Sequence, residues 1–302
     1  MIRSLLIKMR WNKISLIGLG LMGGSLGLAV KQNNLAARVS AFVRRPGSVA
    51  QGLKLGLADE VTDDLSAVVR EADLIVLCTP LSQMRVLAGQ MVPYLKPGVV
   101  VTDVGSVKWS VVQEIEPPVF AAQGHFVGSH PMAGSEKTGP EAARADLFRN
   151  ATCLVTPGLH SSAESISAVQ TFWKSVGGWP IRMTPEMHDD LVSRSSHLPH
   201  VVAAELANYV LSPAHPKEQA LVCANGFKDT TRIASGSTEM WRDIVLANRK
   251  NLSRVLGVFI EDLQEFQLAL DRGDVKMVEE FFAKAKQRRD QWRAHSPAAS
   301  PE

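Results

Sequence analysis

The stretch Lys13-Ile-Ser-Leu-Ile-Gly-Leu-Gly-Leu-Met-Gly-Gly-Ser25 runs from a short apolar strand directly into a glycine-rich turn. Gly18, Gly20 and Gly23 stand at the spacing of a dinucleotide-binding turn. Gly18 permits the tight bend, Gly20 lets the backbone approach a diphosphate, and Gly23 lets the following helix pack closely on the strand. The first amides of that helix lack intrahelical acceptors and so favour negative charge. Leu21 and Met22 lie in the same turn and are assigned to the cofactor with the glycines. The alternative is a purely structural turn.

Outward from this turn, residues 14–180 alternate apolar strands with amphipathic helices, the pattern of a doubly wound α/β sheet. Val39–Val43 reads as the second strand and Asp64–Glu71 as a short helix. Asp73–Thr79 is almost continuously apolar, as in a strand buried on both faces. Pro80 has no amide to donate and suits the first turn of a helix over Leu81–Val92. Val99–Asp103 is a further strand, Gly105-Ser106 a turn and Val107–Ile115 a helix. Phe126-Val127, Cys153–Thr156 and Trp179–Met183 supply later strands around a helix at Glu164–Val176. The expectation is an N-terminal Rossmann-type domain over residues 1–183. Right-handed crossovers place the loops after Ile17, Cys78 and Thr102 along one carboxyl edge, where the site belongs and where Thr79 meets the cofactor.

The pattern changes at Thr184-Pro-Glu186, a hydroxyl cap, a proline and a first-turn acid that together announce a helix. Residues 184–294 read as an all-helical substrate and dimerisation domain, with helices at Pro185–Leu211, Pro216–Gly226, Thr238–Leu270 and Val275–Trp292. The third carries Leu252, Leu256, Phe259, Leu263, Phe266 and Leu270. Burial against a second subunit is the expected use of so long an apolar helix, and packing inside one domain the alternative. Residues 295–302 read as a frayed tail.

The formal net charge is +3 over 302 residues, 45% of them apolar. Arg44-Arg45 and Lys284–Arg289 are short clusters that do not make a nucleic-acid surface. Cys78, Cys153 and Cys223 are far apart and unpaired in pattern. They read as small buried hydrophobes of a reducing cytoplasm. Met1–Arg10 does not read as a secretory signal, and no stretch reaches the length of a membrane span.

An NAD site places an acid at the end of the second strand to accept the ribose hydroxyls. Here Val43 stands there and Arg44-Arg45 follow. Without that carboxylate a 2'-phosphate is not repelled, and a guanidinium binds it bidentately. NADP is the preferred reading, with NAD the alternative if the arginines are only surface charges.

Three polar clusters carry candidate chemistry. In Thr102–Lys108, Ser106 either caps a helix or donates to a reacting oxygen, and Asp103 with Lys108 reads equally as a structural ion pair. In His125–Glu136, His130 follows a strand and precedes Pro131. A neutral imidazole there accepts an alcohol proton as hydride leaves the carbon. Glu136 either orients substrate or closes the pocket, with a helix-start charge as the alternative. In Ser195–His200, His197 and His200 share a helical face. With His188 they hint at a metal, but no carboxylate pair or thiolate completes a ligand set, and no metal is assigned. Arg232 follows a glycine-interrupted helix and suits either a clamp on a substrate carboxylate or a helix-end ion pair.

These residues resemble the prephenate and arogenate dehydrogenase family. Gly18–Ser25, Thr102-Asp-Val-Gly-Ser-Val-Lys108, Gly128-Ser-His-Pro-Met-Ala-Gly-Ser-Glu136, Ser196-His-Leu-Pro-His200 and Gly226-Phe-Lys-Asp-Thr-Thr-Arg232 follow in the family's order across nearly the whole chain. The resemblance over these residues carries no expectation of a fused mutase or regulatory domain within them. The resemblance implies NAD(P)-dependent oxidative decarboxylation of prephenate to 4-hydroxyphenylpyruvate, with arogenate to tyrosine as the alternative. It makes His130 the catalytic histidine and Ser106 the serine bridging substrate hydroxyl and nicotinamide. His197 becomes a substrate-facing histidine, Arg232 the carboxylate clamp and Glu136 an acid near the entrance. A dehydrogenase of small 3-hydroxy acids would need an active-site lysine instead, and a non-catalytic nucleotide sensor is the reading from another class.

Overall fold

The computed structural model describes residues 11–134 and 137–294. The expected tail at 295–302, the N-terminal segment Met1–Arg10 and Glu136 lie outside them. Among the described residues eight strands form one sheet, β1 (Trp11–Ile17), β2 (Ala36–Phe42), β3 (Glu60–Thr62), β4 (Leu74–Leu77), β5 (Val100–Asp103), β6 (His125–Pro131), β7 (Thr152–Pro157) and β8 (Trp179–Arg182). Their order is β3-β2-β1-β4-β5-β6-β7-β8. The first six run parallel; β7 turns back against β6, and β8 follows β7. The fold is the Rossmann-type doubly wound α/β sheet expected.

Helices α1 (Leu21–Gln32), α2 (Gly47–Lys54), α3 (Leu65–Val69), α4 (Leu81–Met91), α5 (Trp109–Ala121) and α6 (Ala163–Ser175) cover both faces. Alternation of side chains along the strands divides the core. Ile14, Leu16, Leu74 and Val76 join one buried cluster, and Ile17, Ile75, Leu77 and Val101 the other. Helix α5 runs past its expected end at Ile115 and through Pro117-Pro118. Burial of Val111, Val112, Ile115 and Val119 along one face offsets the two missing amide donors.

The helical part follows as α7 (Pro185–Val192), α8 (Leu198–Val210), α9 (Asn225–Thr231), α10 (Thr238–Ala247), α11 (Arg249–Asp271) and α12 (Val275–Ala294). Three expected helices are corrected. Pro185–Leu211 is interrupted by a π-helical turn at Ser193–His197. There the Ser193 and Ser195 hydroxyls donate to the carbonyls of Asp190 and Leu191 and compete with the backbone ladder. Pro216–Gly226 is a 3-10 stretch, Lys217–Val222, that ends before α9. Leu221 and Val222 are exposed, so packing does not sustain a longer helix. Thr238–Leu270 breaks at Asn248, where φ is −105° and ψ 24°. Of the cysteines, Cys153 is buried, while Cys78 and Cys223 are only partly so.

The chain divides into two compact units between Asn248 and Arg249. Within the second, α11 and α12 meet through Phe266 and Phe281, ring centroids 4.4 Å apart. Asp274 accepts the Met277 amide at 3.0 Å to start α12.

In α1 a Cβ on Gly27 would lie 1.8 Å from the Leu57 carbonyl oxygen. Gly27→Ala is therefore expected to destabilise the fold by about 1–3 kcal/mol through overpacking, read as a lower midpoint in denaturant. A midpoint equal to wild type contradicts the close helix-to-chain packing.

Candidate active site

The nucleotide turn is built as its glycines require. Gly18 adopts φ +106°, and a Cβ there would lie 2.9 Å from Thr79 Cγ2 and 3.0 Å from the Cys78 carbonyl oxygen. A Cβ on Gly23 would lie 1.9 Å from the Gly18 carbonyl oxygen, so α1 packs directly on the turn. Gly20, by contrast, has open space where its Cβ would stand. Among the described residues no side chain caps the start of α1, and its first turn carries no acid. These features match a diphosphate approaching the helix N-terminus.

A cleft of about 380 Å³ opens here, lined by Gly18, Gly20, Val43, Arg44, Arg45, Ser48, Gln51, Thr79 and Gln83 among others. It lies between the ends of β1 and β4, where the strand order reverses, the usual ligand position in open α/β sheets. The Thr79 hydroxyl is buried with no hydrogen-bond partner among the described residues, an orphan that a bound ligand satisfies. Arg44 and Arg45 are exposed, and Arg44 donates to Gln83 Oε1 at 3.3 Å. Leu21 and Met22 rest partly buried against the core. Ser48, Gln51 and Gln83 were missed by sequence reasoning because nothing local marks them as facing the turn.

The second half of the site is a chain of buried side chains. His130 lies inside β6, paired with Leu154 of β7, and not after the strand as expected. Its Nδ1 is 2.9 Å from His188 Nε2, and His188 Nδ1 is 2.7 Å from Asp189 Oδ1. Asp189 also accepts the backbone amides of Lys108 at 2.7 Å and Trp109 at 3.0 Å. This carboxylate caps α5 from a distant part of the chain, so the capping role considered for Ser106 falls to Asp189. Asn248 Nδ2 donates to the Asp189 carbonyl at 2.7 Å and lies 3.2 Å from His197 Nδ1.

The π-helical turn explains how His188 and His197 reach one place. At 100° per residue, nine positions put two side chains about 180° apart on a regular helix; one extra residue reduces this to about 80°. Beneath them Asp103 and Lys108 form a fully buried ion pair. Lys108 Nζ also donates to the Ser129 carbonyl at 2.8 Å, and Asp103 Oδ1 accepts the Ser129 amide at 3.0 Å. This bears out the structural reading of that pair.

Burial lowers the pKa of all three histidines. It pushes His130 well below the ordinary imidazole range, reinforced by His188, Lys108 and His197. His188 is lowered by burial against the opposing hydrogen bond from Asp189. His197 is lowered by burial to about 4, against the pull of Asp189. Ser106 is half-buried in the loop between β5 and α5, and its carbonyl acts on His197. Arg232 is brought to His200, whose pKa its charge lowers after the larger effect of burial. His200 stacks on Trp241 with centroids 3.6 Å apart.

A Rossmann cleft with a neutral imidazole at the carboxyl end of the same sheet is the site of a nicotinamide-nucleotide-dependent dehydrogenase. Residues 26–181 match the family model described as prephenate dehydrogenase, nucleotide-binding domain, and residues 184–285 the model described as prephenate dehydrogenase, dimerization domain. The chain belongs to the prephenate dehydrogenase family. It is 36% identical to a cyclohexadienyl dehydrogenase of Zymomonas mobilis, over 92% of this chain and 95% of that one. It is 34% identical to a prephenate dehydrogenase of Bacillus subtilis, over 92% of this chain and 76% of that one. The prephenate dehydrogenase of Aquifex aeolicus, solved with hydroxyphenyl propionate and NAD+, superposes with a TM-score of 0.86 at 29% identity, covering 93% of this chain and 98% of that one. Among the described residues no helix is long and apolar enough to cross a membrane.

The depressed His197 value sets a pH dependence. The unfolded chain binds this proton near 6.5 and the folded chain only near 4, so the contribution to stability is full above 6.5 and lost as pH falls through that window. The loss from this residue is on the order of 3 kcal/mol. Denaturant unfolding across the window is expected to show a shallower decline for His197→Gln than for wild type; parallel declines contradict the buried neutral ring.

Proposed function

We propose that this chain oxidises and decarboxylates prephenate to 4-hydroxyphenylpyruvate. The observation that carries this reading is the buried His130, at the carboxyl end of β6 with its Nδ1 2.9 Å from His188 Nε2, on the sheet edge that also forms the nucleotide cleft. The hydroxyphenyl propionate bound by the Aquifex enzyme has the carbon skeleton of that product, a phenol with a three-carbon acid side chain, which supports the same substrate here. The nicotinamide, when bound, supplies the acceptor for the hydride leaving ring C4. His130 takes the C4 hydroxyl proton, so the oxygen becomes a carbonyl and draws in the electron pair released as the C1 carboxylate departs as carbon dioxide; the phenolate so formed takes the proton back from His130. The ring becomes aromatic, which makes the step effectively irreversible.

In this reading Ser106 donates to the substrate hydroxyl, while His197 and Arg232 bind substrate oxygens, with Glu136 near the entrance. Gly18, Gly20, Leu21, Met22, Gly23 and Thr79 hold the nucleotide. Residues 1–183 act as the nucleotide domain and 184–294 as the helical substrate and dimerisation domain. The exposed apolar side chains Leu263, Leu270 and Phe282 support a homodimer formed through that domain, working in the cytoplasm. Arogenate is the second reading, supported by the Zymomonas relative, whose name specifies the ring and not its side chain.

NADP is favoured because the cleft lining contains Arg44 and Arg45 and, among the described residues, no acid. Replacing both by alanine is expected to lower kcat/KM for NADP by about 10–100-fold with little effect on NAD. Equal losses for both nucleotides refute the 2'-phosphate assignment.

The deciding experiment incubates the protein with prephenate or arogenate and each nucleotide, following reduced nucleotide and carbon dioxide. Prephenate turnover is expected, and His130→Asn is expected to lower kcat by about 10²–10⁴-fold with nucleotide binding retained. Near-normal turnover in that variant removes His130 from the base role.

A further inference from the structure

We propose that Asp189, acting through His188 and Asn248, sets His130 and His197 in opposite tautomers, so that His130 presents a proton acceptor and His197 a proton donor. The inference deepens the reading of His130 as general base and rests on it for its catalytic meaning.

The assignment follows from groups whose hydrogen-bonding roles are fixed. Asp189 Oδ1 accepts the Lys108 amide at 2.7 Å, so it is an acceptor, and the 2.7 Å contact to His188 Nδ1 places the His188 proton on Nδ1. A neutral imidazole protonated there carries its lone pair on Nε2. His130 Nδ1, 2.9 Å away, must then be the donor. That leaves His130 Nε2 with the lone pair, the form able to take a proton. The arrangement extends the orienting logic of an acid–histidine couple by one ring.

On the other side of Asp189 the argument runs in the opposite sense. Its peptide carbonyl can only accept, so the Asn248 atom 2.7 Å away is the amide nitrogen. The same nitrogen, which has two protons, lies 3.2 Å from His197 Nδ1, making Nδ1 an acceptor and leaving the proton on Nε2. His197 Nε2 is buried with no hydrogen-bond partner among the described residues. The Ser106 carbonyl acts on the ring without forming a hydrogen bond to Nε2, so this buried donor is left for a substrate oxygen to accept. Asn248 is also where the expected long helix breaks. Asp189, His188 and Asn248 are thus positioning residues that touch no reacting atom.

The test has a spectroscopic arm independent of turnover. Long-range 15N–1H spectra of the wild-type enzyme with 15N-labelled histidine, assigned with His130→Asn and His197→Asn, are expected to show the proton of His130 on Nδ1 and that of His197 on Nε2. The reverse at either ring overturns the proposal. Kinetically, His188→Leu is expected to lower kcat by about 10–100-fold with nucleotide KM little changed, because the base loses its acceptor partner. His188→Gln, whose carboxamide oxygen can accept from His130 Nδ1, is expected to recover much of the loss. Wild-type kcat in a folded His188→Leu, or no recovery in a folded His188→Gln, overturns the positioning role. Turnover surviving in His130→Asn would remove the general-base reading alone, since the spectra judge the tautomers separately.

Discussion

The carboxylate of Asp189 is the contact on which the site depends. It receives the first amides of α5 and the ring proton of His188, and stands 81 residues beyond Lys108 in sequence. A buried carboxylate is tolerable only when donors surround it. The orphan amides at the start of a helix supply donors and a favourable dipole at no further conformational expense. The acid therefore docks α7 against α5, and that docking holds His188 over β6. Its peptide carbonyl extends the same junction to Asn248 and His197.

A second constraint lies underneath. The β5–β6 ladder pairs Val100 with His125 and Val101 with Phe126, and the strands are then joined by side-chain chemistry. Asp103 accepts the Ser129 amide, Lys108 donates to the Ser129 carbonyl, and Thr102 shares a hydrogen bond with the Ser129 hydroxyl at 2.8 Å. The buried Asp103–Lys108 pair is costly to desolvate, and hydrogen bonds on both members make it tolerable. Its effect is to pin the residue immediately before His130. The proposed base is thus fixed by β7 on one side, by the ion pair through Ser129, and by His188 at its ring.

The glycine turn, the alternating strands and the arginines after β2 are short-range features, and each could be read from neighbouring residues. Spacing alone placed Gly18, Gly20 and Gly23, and the structure shows why each is needed or free. His130 was recognisable as a candidate from its setting, although its place inside β6 was hidden because Gly128 and Ser129 lack the apolar character of a buried strand. Asp189 and the positioning role proposed for His188 were not legible. An acid beside a histidine in a helical segment looks like any solvated pair until a helix start 81 residues earlier is brought to meet it.

The amino-acid sequence by itself determined the doubly wound architecture, the nucleotide turn and the set of polar residues available to the site, because hydrophobic period and glycine spacing act over a few residues. Only tertiary structure decided where helices yield. The π-helical turn that rotates His197 towards His188, and the break at Asn248, run against local helix preference. The break at Asn248 coincides with contacts to Asp189 and His197 that exist only after distant segments have packed, whereas the serine hydroxyl bonds at the π-helical turn are local ones. Local propensity is a weak preference per residue, and a buried polar group without a partner outweighs it.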